Sequence, residues 1–118
     1  MNQESYHRYI IAGNPNTPDF VLYKLARDAS DIVRRQTAEN TNLPAELFCC
    51  LACDASDEVR SGIVNNSSTP VFLLEILCQD ESPNVRLAMA ERPNIPGHIL
   101  RQLLNDENPY VAHEAGNN

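Results

Sequence analysis

The sequence predicts an all-α protein built by repetition, a small α-solenoid of about four two-helix units. Two observations carry this expectation. First, Pro18, Pro44, Pro70 and Pro96 recur at a fixed step of 26 residues, and three more columns keep the same step: Asp28, Asp54, Asp80, Asp106; Leu25, Leu51, Leu77, Leu103; and Val33, Val59, Val85, Val111. Several unbroken columns at one period do not arise by chance. Second, the apolar residues inside each period fall at helical spacing and nowhere alternate as a strand would. Helices of about ten residues are marginal alone, so each pair must bury its apolar stripe against its neighbours.

Residues 1–14 read as a half-repeat cap, because Arg8 lies one step upstream of the column Arg34, Arg60 and Arg86. Four rows follow as one continuous domain: 15–40, 41–66, 67–92 and 93–118. The first helix of each row carries Val21, Leu22, Leu25 and Ala26, then Leu47, Phe48, Leu51 and Ala52, then Leu73, Leu74, Leu77 and Cys78, then Ile99, Leu100, Leu103 and Leu104 on one face. Asn16, Asn42, Ser68 and Asn94 are its expected N-caps, with the column proline in the first turn. The second helix starts at Ser30, Ser56, Ser82 and Asn108; it is expected to be short, and its length leaves α and 3₁₀ geometry open. In the first row Val33, Thr37 and Ala38 are its inward positions. Asn40, Asn66 and Asn118 suit a left-handed stop, a column that Arg92 interrupts.

Composition narrows the function classes. A chain of 118 residues has one domain's length, and 42% apolar with 21% charged residues is ordinary for a globular chain. No apolar run approaches the length of a membrane span. Sixteen acids against nine bases give a formal charge of -7, which argues against nucleic acid and anionic membrane as partners. The opening MNQESYHRYI has no basic region followed by an apolar stretch, so a secretory signal is not expected. The four cysteines then read as reduced thiols of a cytoplasmic protein.

The rows resemble the leucine-rich repeat variant family, whose repeat has the form AxNPNTPxxLLxxLAxDxxxxVRxxV. Ala12, Asn14-Pro15-Asn16-Thr17-Pro18, Leu22, Leu25-Ala26, Asp28 and Val33-Arg34 carry the match, and residues 7–118 repeat it with decay. The resemblance implies a right-handed superhelix of alternating α and 3₁₀ helices. The Asp-then-Val-Arg core is also similar to the HEAT repeat, a helical solenoid used for protein binding. Some relatives carry a cysteine-rich iron–sulfur module ahead of the repeats; here no cysteine precedes Cys49, so that activity does not carry over.

The charged columns are read as structural. Pairing aspartate and arginine within a row leaves Arg8 and Asp106 over. Pairing with the following row joins Arg8–Asp28, Arg34–Asp54, Arg60–Asp80 and Arg86–Asp106, and Ala112 then needs no partner. An inter-repeat ladder of charge-assisted hydrogen bonds is therefore expected, fixing register more than adding stability. Cys78 occupies a packed column and reads as a small core residue. Cys49, Cys50 and Cys53 occupy surface-type positions one helical turn apart, and they carry the alternative reading, a thiol, metal-binding or redox protein. Against it, CCxxC within one helix lacks the loop geometry of zinc or cluster sites.

No HExxH, GxSxG, Walker A or GxGxxG motif is present, and His7, His98 and His113 are scattered. Neither catalytic residues nor a cofactor are expected. The favoured function is a non-catalytic protein-interaction or scaffold module with a protein partner of basic or neutral surface. Its expected contact face is formed by the varying columns of the second helices: Ile32, Glu58, Asn84 and Tyr110, then Arg35, Ser61, Leu87 and His113. Leu87 and Tyr110 are its apolar candidates, the competing reading being that they cover a thin core. An accessory subunit of the chromophore-lyase kind is a third reading that no residue favours. An end without a polar capping helix leaves a monomer and an end-to-end homodimer both open.

Overall fold

Each period folds as two helices because it carries two stops in its backbone. The column proline has no N–H to donate and holds φ near −60°, so it ends one helix-free turn and starts the next helix with its carbonyl. Pro18 shows this directly: at φ −60° and ψ 148° it accepts from Val21 N and Leu22 N at 3.0 and 3.2 Å. The second stop is the Asx turn at the column aspartate, whose carboxylate accepts the N–H two residues on and releases a new helix from there.

The computed structural model describes residues 1–118. It contains nine α-helices and no strand: α1 Gln3–Gly13, α2 Asp19–Leu25, α3 Asp31–Ala38, α4 Ala45–Ala52, α5 Asp57–Asn65, α6 Val71–Leu77, α7 Pro83–Glu91, α8 Gly97–Leu104 and α9 Pro109–Gly116. The odd-numbered helices pack one on the next in a single row, while the even-numbered ones lean on that row and barely touch each other. The molecule is accordingly elongated, 42 × 26 × 21 Å, with a radius of gyration of 14.5 Å. A compact chain of this length would have about 13.5 Å.

The core runs the length of the row. One buried cluster extends from Leu22 to Ala115, and a smaller one joins Ala12, Leu25 and Val33 at the amino-terminal end. The valine column is fully enclosed, with Val33, Val59 and Val85 at 0% exposure and Val111 at 1%. Burying such a side chain contributes roughly 1.5–3 kcal/mol, but only because a neighbouring helix supplies the other wall. α3 and α5 approach closely enough that a Cβ on Gly62 would lie 3.0 Å from the Arg35 carbonyl oxygen, so the glycine suits that contact.

Three expectations are corrected. The second helix of each row is neither shorter than the first nor 3₁₀: α3, α5, α7 and α9 have 8, 9, 9 and 8 residues against 7, 8, 7 and 8 for α2, α4, α6 and α8. The alternation of α and 3₁₀ helices implied by the resemblance is absent from this chain. The N-cap of each first helix is the proline itself, without a side-chain cap, not Asn16, Asn42, Ser68 or Asn94. Finally, Asn40, Asn66 and Asn118 are not left-handed stops; the one non-glycine residue at positive φ is Asn94, at 58°. Their amides are used for something else.

Candidate functional site

The aspartate column is held from both sides. Asp28, Asp54, Asp80 and Asp106 each accept the backbone N–H two residues on, from Ser30, Ser56, Ser82 and Asn108, at 2.9 Å. Both oxygens also face the preceding row, where an arginine meets them. Arg34 Nε and Nη2 donate to Asp54 at 2.9 and 3.2 Å, Arg60 to Asp80 at 2.8 and 3.1 Å, and Arg86 to Asp106 at 2.8 and 3.4 Å. Arg8 reaches Asp28 in the same way, its Nε at 2.6 Å.

The third guanidinium nitrogen turns back to the arginine's own row. Nη1 of Arg34, Arg60 and Arg86 donates to the carbonyl oxygen of Asp28, Asp54 and Asp80, each at 2.7 Å. Arg34, Arg60 and Arg86 thus each clamp two successive aspartates, one by its backbone and the next by its carboxylate. The carboxylate raises the pKa of Arg34 and Arg60 above the ordinary guanidinium value, against the opposing effect of burial. Each guanidinium nitrogen of Arg34, Arg60 and Arg86 is thus bonded to the scaffold.

A second ladder runs parallel to the first and was not foreseen. Asn40 Nδ2 donates to the carbonyls of Ala12 and Asn14, Asn66 to those of Ala38 and Asn40, and Asn118 to those of Ala90 and Arg92, at 2.7–3.0 Å. Each amide ties the end of its own row to the end of the row before. Asn40 and Asn66 also accept, through Oδ1, the N–H two residues on, from Asn42 and Ser68, at 2.8 and 2.9 Å. The period in the sequence placed these asparagines together; the signal missed was that a buried amide needs partners for its donors as well as its acceptor.

Arg92 does the asparagine's work with a different group. Its Nη1 donates to the carbonyls of Val64 and Asn66 at 2.5 and 2.8 Å. Having no acceptor, Arg92 cannot hold the N–H of residue 94, and the turn there is the one that adopts positive φ. Burial lowers the pKa of Arg92, with no carboxylate to offset it. Arg92→Asn is expected to raise the melting temperature by a few degrees, since it removes a desolvated charge and restores the turn acceptor, a gain of about 1 kcal/mol. Thermal denaturation checks it; a fall would contradict this reading of the column.

Residues 83–108 match the leucine rich repeat variant family. The matched stretch has the length of one period and holds α7, α8 and the turn that starts α9. It includes Arg86 and Asp106, so the matched stretch contains both ends of one ladder rung. No curated protein and no solved structure matches the chain.

The expected contact face is only partly a surface. Ser61 is buried at 8% exposure, because α5 packs between α3 and α7, and it leaves the face. Leu87 is half-buried and packs against the core. Arg35 pairs with Glu58 across rows and with Glu39 along α3. Asn84 Nδ2 donates to Asp57 at 3.3 Å. Tyr110, 77% exposed, Ile32 and His113 remain free at the surface.

Asp57 also accepts from Ser82 Oγ at 2.7 Å. That hydroxyl first, and the Asn84 amide second, hold its carboxyl below the usual carboxylate range. A depressed folded pKa contributes stability that is present above the unfolded value and lost as the pH falls through the folded one. Wild type should therefore lose stability on acidification below about pH 4 more steeply than Asp57→Asn. Parallel acid limbs in pH-dependent melting would contradict this.

Cys49, Cys50 and Cys53 are exposed free thiols on and just after α4, whereas burial pushes the Cys78 thiol up. No three side chains of metal-ligating type converge anywhere in the molecule. No helix is long and apolar enough to cross a membrane.

Proposed function

We propose that this chain is a non-catalytic protein-interaction or scaffold module. In this reading it is a right-handed α-solenoid of four units, 15–40, 41–66, 67–92 and 93–118, behind a half-unit cap at 1–14. The observation that carries it is the division of labour between columns. The repeating polar columns are consumed by the two ladders, and varying side chains are left at the surface, as in helical-repeat proteins that bind other proteins. The leucine rich repeat variant match at 83–108 supports the same reading.

The partner is a protein with a basic or neutral surface, given the charge of -7, and neither nucleic acid nor a membrane is required. The protein works in the cytoplasm, without a cofactor, as a monomer or an end-to-end homodimer. Tyr110 is the residue on which to test the face, since it is the most exposed large apolar side chain there. Leu87 is unsuitable, because a charge on it would disturb the core. Affinity capture from cell extract is expected to recover a specific protein with wild type and to lose it with Tyr110→Asp. Recovery of the same proteins by both would place the contact elsewhere; recovery of nothing specific by either would count against an interaction module.

A further inference from the structure

Arg92 lines a cleft of about 290 Å³ together with Asn65, Ser67, Glu91, Pro93 and Asn94. The ladder arginines show how this chain uses a guanidinium. In Arg34, Arg60 and Arg86, Nη1 is spent on backbone carbonyls, and the Nε/Nη2 edge grips a carboxylate through two parallel bonds. Arg92 spends its Nη1 on two backbone carbonyls in the same way, but its Nε and Nη2 have no acceptor within the protein. Of the arginines without an ion pair, Arg27 and Arg101 are exposed, whereas Arg92 is half-buried. No buried polar atom is unsatisfied, so the free edge opens to the surface rather than into the core.

We propose that the Arg92 cleft is a binding site for a carboxylate, gripped by the Nε/Nη2 edge as the ladder arginines grip their aspartates. A planar guanidinium fork matches a carboxylate bidentately, and partial desolvation strengthens the pair. A monoanion fits better than a phosphate dianion, because Glu91 adds a negative charge to the same cleft in a protein already at -7. Besides Glu91 and Pro93, the surrounding side chains are two amides and a hydroxyl. Asn94 and Ser67 have no hydrogen-bond partner for their side chains, and Asn65 uses its Nδ2 on Glu39 and keeps its Oδ1. Such a rim suits an amide next to the carboxylate. The ligand chemistry is therefore a carboxylate carried one residue's length from an amide, as in an N-acylated amino acid or at the C-terminus of a peptide. This site does not depend on the protein-interaction reading above.

The test follows the Arg92 side-chain Nε–H resonance by ¹⁵N–¹H NMR during titration with N-acetylglycine, N-acetylglycine amide, triglycine with its N-terminus acetylated, and inorganic phosphate. Wild type is expected to show a saturable shift with N-acetylglycine and at least tenfold weaker binding of the neutral amide and of phosphate. A tenfold tighter fit for the acetylated triglycine would support a peptide C-terminus as the source, and equal binding a free acid. Arg92→Asn keeps both carbonyl bonds by the device the chain uses at Asn66, so it should fold, and backbone amides around the cleft should no longer shift. The proposal is overturned if N-acetylglycine gives no saturable shift, if amide or phosphate binds as well, or if folded Arg92→Asn responds as wild type does.

Discussion

Arg60→Ala should melt on the order of 10 °C below wild type, with a loss of about 3 kcal/mol. Arg60 lies in the middle of the ladder and is 11% exposed, its partner Asp80 8%. Removing it deletes two bonds to that carboxylate and those to the Asp54 and Ala55 carbonyls, and strands Asp80 as a buried charge between rows. An orphaned buried charge is costlier than the intact pair was favourable, which is why the single substitution is the severe one. Arg35→Ala removes ion pairs too, to Glu58 and Glu39, but these lie at the surface with Arg35 itself 37% exposed, and it should change melting little. Equal effects of the two substitutions would contradict the structural role assigned to the Asp–Arg column.

Asn66→Ala should cost about 2–3 kcal/mol, although it removes only a small, uncharged side chain. Asn66 is 3% exposed, and its loss removes its bonds to the carbonyls of Ala38 and Asn40 and to the N–H of Ser68, only the Asn40 carbonyl keeping a second partner in the Leu43 N–H. The penalty comes from those stranded backbone groups and not from lost apolar burial. Equilibrium urea unfolding reads it. Asn65→Ala, one residue away and exposed, gives up a single side-chain bond to Glu39 and serves as the control. A cost no greater than the control's would show that the second ladder is incidental to stability.

How much of this was legible in the sequence depends on what each column needed. The valine and leucine columns are apolar at fixed offsets, and nothing but burial on the facing helix explains such residues at that step, so the helical pairs could be read directly. The Asp and Arg columns could be paired by asking which register leaves no charge over. The second function of each arginine could not be read, because Nη1 goes to a backbone carbonyl and a backbone carbonyl has no residue type. The same blindness hid the asparagine ladder: Asn40 and Asn66 donate to carbonyls 26 and 28 residues back, and the sequence showed only residues that favour turns. Arg92 looked like a break in a column and instead replaces two of the asparagine's three bonds. The contact face was the least legible part. Ser61 is small and polar, a surface type, and only the stacking of α5 between two helices encloses it.

The central claim is that the charged side chains pair each row with the next and not within the row, and a double-mutant cycle tests it. Arg60→Ala, Asp80→Ala and their combination are measured by urea unfolding beside Arg60→Ala, Asp54→Ala and theirs. Arg60 meets the Asp80 side chain but only the Asp54 backbone. The expected result is a coupling of about 1–3 kcal/mol for Arg60 with Asp80 and one near zero for Arg60 with Asp54. Coupling to Asp54 as large as that to Asp80, or none to Asp80, would contradict the account.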